Sequence, residues 1–209
     1  MEIRFLLVCE GSSDTSLIGH IERLLVDCGA SEASGTASYF GRKVGDKIRS
    51  GLQYYGEADL LVVHRDANSA GAAARYDEIA NEVGSSGYCG QWVAIVPVRA
   101  MEAWLLVDED AIRRVAGRPN GTESLDLSKP QRVEAIGDPK EVLRQALFDA
   151  AAPRGKRRRK KVAAEFSELR RQLAEHLPIG GVLEKVPSWE RFRADVTKVM
   201  ELKAAIQSD

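Results

Sequence analysis

Three features of the sequence predict an α/β fold, a parallel sheet flanked by helices with a helical C-terminal part. Near-continuous apolar runs occupy 3–9 (IRFLLVC), 59–64 (DLLVVH) and 91–98 (QWVAIVPV). A run without alternation is the signature of a strand covered on both faces, as in parallel sheets. Segments of helical periodicity separate the runs, so the chain reads as successive βαβ units.

The first strand, 3–9, ends at Glu10 and Gly11. Leu17, Ile18, Ile21, Leu24 and Leu25 follow at the spacing of one helix face. Ser12 or Ser13 is the expected N-cap of that helix and Gly29 its stop. A weaker strand is expected at 35–40 and a helix over 44–55. The second apolar run ends in Arg65-Asp66-Ala67-Asn68, and a helix is expected from Ala72 to Val83. The third run leads into Arg99-Ala-Met-Glu102-Ala-Trp104.

Beyond about 108 the character changes. Gly117, Pro119, Gly121, Pro130, Gly137 and Pro139 mark a loop-rich connection. Helices are expected at 140–150, 160–176 and 188–206, the last with Trp189, Phe192, Val196, Val199 and Leu202 on one face. The expected organisation is an α/β domain over 1–110, with a loop-rich and helical part over 111–209 packed on it.

Composition narrows the function classes. Apolar residues make up 44% and charged residues 29%, as in a globular, water-soluble protein. No apolar stretch reaches ~18 residues, so no membrane span is expected. The N-terminal residues lack the pattern of a secretory signal. Cys9, Cys28 and Cys89 include no CxxC pair, which argues against zinc or a disulfide framework and for a reducing, cytoplasmic setting. The net charge of −1 leaves any nucleic-acid contact to a local patch.

Ligands of parallel sheets bind beyond the carboxyl ends of the strands. Those ends here carry Glu10, with Asp14 shortly after it, then Asp66, then Glu102. A hard divalent cation needs oxygen ligands converging from separate parts of the chain, and close carboxylates repel unless a cation or proton sits between them. Each acid taken alone has an ordinary reading: Asp14 as a helix-start residue, Asp66 as an Asx-turn residue. Their joint placement after buried strands favours a shared site.

The ordered set resembles the Toprim domain. Glu10-Gly11-Ser-Ser-Asp14 is similar to the Toprim pattern EGxxD, and Asp66-Ala-Asn68 is similar to its DxD motif, as found in topoisomerases, primases and OLD-type nucleases. Met101-Glu102-Ala-Trp104-Leu-Leu and Asp138-Pro139-Lys140 resemble stretches of the Toprim-like DUF4276 family of uncharacterised bacterial proteins. The resemblance covers residues 3–108 and extends more loosely to 140. It implies a Toprim-like, Rossmann-like sheet domain. It also implies Mg²⁺ or Mn²⁺ at a cluster of Glu10, Asp14, Asp66, Asn68 and Glu102. Glu10 would be general acid/base or ligand, Asp66 a principal ligand, and Glu102 the completing acid. Asn68 departs from the pattern: it keeps an oxygen but lacks the second charge.

The function expected is metal-dependent phosphodiester hydrolysis by a nuclease acting on DNA or RNA. The resemblance adds a setting in bacterial defence and a protein partner such as an ATPase. Two alternatives stand beside it: a nucleic-acid- or protein-binding module with a degenerate site, and an enzyme acting on a small phosphorylated molecule.

Several basic residues qualify for phosphate contacts. Arg154, Lys156, Arg157, Arg158, Arg159, Lys160 and Lys161 place seven positive charges in eight positions. They read as a grip on a phosphate backbone, or as a solvated loop. Arg65, Arg99 and Lys140 either contact a scissile phosphate or pair with the carboxylates. Arg42, Lys43, Lys47 and Arg49 either flank the acidic site or form a solvated helix face. His20, His64 and His176 have no metal spacing, and His64, closing a buried strand, reads as a structural histidine. Trp92, Trp104 and Trp189 fall on apolar stripes and read as core.

Overall fold

In the computed structural model, which describes residues 1–177 and 179–208, the chain divides into two compact units. The first comprises 1–96 and 188–209, the second 97–187.

The first unit is built on a four-stranded, all-parallel sheet of order β2-β1-β3-β4. The strands are β1 (Glu2–Val8), β2 (Glu32–Ser38), β3 (Leu60–His64) and β4 (Gln91–Ile95). All five residues of β3 are buried. This unbroken burial explains the lack of alternation in the sequence. The second strand runs earlier than the expected 35–40. It is an edge strand with an exposed-to-intermediate pattern and little hydrophobic signal.

The connecting helices are α1 (Ile18–Asp27), α2 (Val44–Tyr55) and α3 (Ala72–Ser86). A 3₁₀ turn over Ser12–Leu17 precedes α1, so the expected single helix opens as a tighter coil. Gly29, at φ +104°, follows the end of α1 as expected. Leu6, Val8, Leu61 and Val63 of the sheet pack with Val44 and Ile48 of α2 and Ile79 and Val83 of α3 in one apolar cluster. At Gly51, α2 comes so close to the sheet that an added Cβ would lie 2.7 Å from Leu6 Cδ2 and 2.8 Å from Ser38 Cβ. The outward N–H of Gly35 in edge strand β2 donates to Glu22 Oε1 of α1 at 3.0 Å.

The second unit is helical: α4 (Glu102–Leu105), α5 (Glu109–Val115), α6 (Pro139–Ala151), α7 (Lys156–Ala164) and α8 (Phe166–Glu175). Helix α6 is its hub and packs against α4, α5, α7 and α8. Asp138 caps α6 by accepting the Glu141 N–H at 3.0 Å, with Pro139 in the first turn. The helix expected over 160–176 is two helices that meet at Glu165.

The closing helix α9 (Pro187–Ser208) belongs, from Ser188, to the first unit. It buries Trp189, Phe192, Val196 and Val199. Trp104 is also fully buried, and Trp92 is partly buried against the sheet cluster, so all three tryptophans are packing residues. Among the described residues no helix is long and apolar enough to cross a membrane.

Candidate active site

The strand order defines where a site can form. From β1 the chain moves to β2 on one side, then returns past β1 to β3 and β4 on the other. The point of reversal lies between β1 and β3, and at the carboxyl ends of such strands an open α/β sheet forms its ligand crevice. Glu10 follows β1 and Asp66 follows β3. The first unit thus brings Glu10, Asp14 and Asp66 to this one place.

His64, the last residue of β3, is the centre of the group. Its buried imidazole lies between two carboxylates, with Nδ1 3.4 Å from Asp14 Oδ2 and Nε2 3.6 Å from Asp66 Oδ1. Neither ring nitrogen makes an aligned hydrogen bond, so both contacts act through charge when the ring is protonated. Burial disfavours the imidazolium, but contact with Asp14 and the charges of Asp14, Asp66 and Glu10 outweigh it, and the pKa rises above 6.5.

Asp14 is committed to the loop that carries it. Its Oδ2 accepts the N–H groups of Glu10 and Gly11, each at 3.2 Å, and its Oδ1 accepts the Ser13 hydroxyl at 3.1 Å. Burial works against its charge. The His64 contact and charge, the Gly11 N–H and the Ser13 hydroxyl prevail and hold the carboxyl at about 2. Cys9 beside it is buried, and that burial, reinforced by Asp14, pushes its thiol up to about 12, so it is no nucleophile.

Glu10 is half-exposed and pairs with Arg65, Nε to Oε1 at 3.1 Å. Arg65 also reaches Glu78 Oε1 at 3.2 Å, and Glu78 pairs with Arg75. The chain Glu10–Arg65–Glu78–Arg75 ties the site to α3. Asn68 adopts a left-handed backbone, φ +49°, and its amide donates to the Asp66 carbonyl oxygen at 3.3 Å. That contact folds the end of β3 into a turn.

Of the two readings open for Lys47, a flank of the acidic site and a solvated helix face, the structure selects the first. Its side chain is buried, and Nζ donates to the carbonyl oxygens of Cys9 at 2.8 Å and Glu10 at 3.2 Å. The ammonium therefore fixes the end of β1. Arg42, Lys43 and Arg49 are exposed, with Arg49 paired to Asp46.

The other predicted residues belong to the second unit. Glu102 is buried and pairs with Arg170, whose Nε donates to Oε1 at 2.8 Å. Arg99 is exposed with φ +67°, and Lys140 is exposed in the first turn of α6. The residues Arg154, Lys156, Arg157, Arg158, Arg159, Lys160 and Lys161 are all exposed, and from Lys156 on they form α7.

Among the described residues no three His, Cys, Asp or Glu side chains are placed to hold a metal ion among themselves. Asp14 is saturated by protein donors. Of the three acids gathered at this place, Glu10 and Asp66 keep their carboxylates partly exposed. Two carboxylates fit Mg²⁺, which takes one or two such ligands and completes its shell with water and substrate phosphate.

The sequence marks His64 as structural, as its buried place closing β3 bears out, but not its two carboxylate partners. Lys47 falls in the apolar stripe of Val44, Ile48 and Gly51, the signal that it is buried rather than solvated. Comparison with family models, curated proteins and solved structures returns no match for this chain.

Proposed function

We propose that the first unit is a Toprim-like phosphodiesterase site and that the protein is a metal-dependent nuclease acting on DNA or RNA. The observation that supports this most is the exit of Glu10 and Asp66 from β1 and β3, the two strands that flank the reversal of the sheet.

Glu10 and Asp66 would hold Mg²⁺ or Mn²⁺, which when bound polarises a phosphodiester and activates water. Glu10 is also the exposed carboxylate suited to move a proton at the attacking or leaving oxygen. Arg65, part-exposed beside Glu10, would turn toward a non-bridging phosphate oxygen, a planar donor meeting a planar acceptor. Asp14, His64 and Lys47 touch no substrate. They hold the ends of β1 and β3 in place by charge and hydrogen bonds. A defence setting and an ATPase partner belong to the same proposal and rest on the family resemblance.

The test is calorimetric titration of Mg²⁺ and Mn²⁺ into the wild type and Asp66→Ala, with plasmid and RNA cleavage followed in parallel. Metal binding and cleavage that both disappear in the variant support the nuclease reading. Absence of metal binding at millimolar concentration, or cleavage unchanged in Asp66→Ala and Glu10→Ala, overturns it.

A second reading is favoured by the Arg65–Glu10 pair and by Asn68, which together leave the site with less negative charge than the Toprim pattern has. It is a nucleic-acid- or protein-binding module with a degenerate site. Salt-sensitive binding of nucleic acid without metal and without turnover of nucleic acids or small phosphorylated molecules would select it.

A further inference from the structure

The second unit holds a pocket that the acidic site does not use. It has a volume of about 270 Å³ and lies among α6, α7 and α8. Two arginine–phenylalanine stacks form its walls, and each joins two helices. Arg144 of α6 lies over the Phe166 ring of α8, 4.7 Å from the centroid. Arg159 of α7 lies over the Phe148 ring of α6 at 5.4 Å. Val162 of α7 closes the apolar side, and Glu141, 3.6 Å from Arg144, is the acidic group of the lining.

Stacking spends one face of each guanidinium on a ring and leaves its edge N–H groups to donate in the plane. The two arginines are thereby held in position before any ligand arrives. Around them α7 is unfavourable by itself. It carries six consecutive basic residues from Lys156 to Lys161, and its one buried residue is Val162. Like charges at i, i+4 repel, and positive charge in a first turn opposes the helix dipole. Gly155 caps this helix without a side-chain hydrogen bond. Lys161 pairs with Glu165 at 3.6 Å and Arg159 stacks on Phe148, which leaves the other four facing water. A polyanion lying along α7 relieves this repulsion, and an apolar pocket with two fixed guanidinium groups adds room for one planar ring and its phosphate.

We propose that this pocket binds one nucleotide of a single-stranded nucleic acid. The base lies against the Phe148 and Val162 side, its phosphate on Arg144 and Arg159, and the neighbouring phosphates run along α7. The inference rests on the nucleic-acid reading above for its ligand class, but it does not depend on cleavage. A single strand is specified because a base reaches such a pocket only when unstacked, and unstacking costs a duplex additional energy. Free mononucleotides share the chemistry and differ in having no chain to lie along α7.

The test is fluorescence anisotropy of a short labelled DNA single strand with the full-length protein, without added metal. Three forms are compared: wild type, Arg144→Gln/Arg159→Gln, and Arg157→Gln/Arg158→Gln. Both variants remove two charges, but only the first pair lines the pocket. The expected result is a loss of roughly tenfold or more for the pocket pair, a smaller loss for the other pair, and weak binding of a matched duplex. A mononucleotide at millimolar concentration displaces the strand from wild type. Equal losses in the two variants, with unchanged melting temperatures, mean that α7 acts by charge alone and overturn the proposal. So does tighter binding of the duplex, or of the mononucleotide, than of the strand. Failure of metal-dependent cleavage leaves this test intact, so the two readings fall separately.

Discussion

His64 Nδ1 lies 3.4 Å from Asp14 Oδ2, a contact between a buried side chain at the end of β3 and one in the 3₁₀ turn after β1. Its stabilisation depends on pH from both sides. The depressed carboxyl of Asp14 contributes stability above its ordinary value of 3.8, lost as pH falls through about 2. That shift corresponds to about 2 kcal/mol. The raised imidazole of His64 contributes stability below 6.5, lost as pH rises through its higher folded-state value. The melting temperature should therefore be highest between about pH 4 and 6.5. In His64→Gln the decline on the alkaline side should vanish, and stability should fall by about 3 kcal/mol because the carboxylates lose their cation. An unchanged alkaline limb in the variant would show that His64 is neutral in the fold.

Asp14 and Glu10 sit four residues apart and should separate stability from activity. Asp14→Ala removes the acceptor of three protein hydrogen bonds. It is expected to lower stability by about 2–4 kcal/mol, measured by denaturant unfolding. Glu10→Gln loses only a half-exposed ion pair. Its stability should change by less than about 1 kcal/mol, while metal-dependent cleavage disappears.

Lys47 makes a contrast in charge rather than position. Lys47→Met keeps the apolar stem but leaves the Cys9 and Glu10 carbonyls without this donor. A cost of about 1–3 kcal/mol is expected. If unfolding free energy is unchanged, the ammonium does not hold the end of β1.

Gly51 of α2 and Gly84 of α3 predict opposite signs. An alanine at Gly51 meets Leu6 and Ser38, whereas a Cβ at Gly84 in α3 meets nothing within 4 Å. Gly51→Ala should destabilise by about 1–3 kcal/mol. Gly84→Ala should stabilise by up to about 1 kcal/mol, since alanine is the better helix former.

Asn68→Asp restores the second acid of the DxD pattern at a left-handed position that aspartate tolerates. Calorimetry should record tighter Mg²⁺ binding than in wild type. Equal or weaker affinity would place residue 68 outside the ion's reach.

The fold was legible where burial is two-sided or helical periodicity is strong. The apolar runs gave β1, β3 and β4, and the expected helix over 44–55 has the bounds of α2. Edge strand β2 was mislocated because half of its residues face solvent and hydrophobicity does not mark them. The break at Glu165 lay inside one long polar stretch with no proline or glycine to announce it. At the site, Glu10 and Asp66 were readable because acids after apolar strands stand out. The structural place of His64 was readable too, but the partners of His64 and Lys47 were not, because they lie far away in sequence and no local pattern encodes them.

The membership of α9 in the sheet unit has a consequence for biogenesis. Trp189, Phe192, Val196 and Val199 are made after the whole helical unit, yet they complete the interior of a unit whose strands are made before it. The intervening helical unit is local in sequence and can fold while synthesis continues, but the unit bearing Glu10 and Asp66 must wait for α9. A message cut short before Trp189 would thus leave Glu10 and Asp66 on a unit whose interior is unfinished.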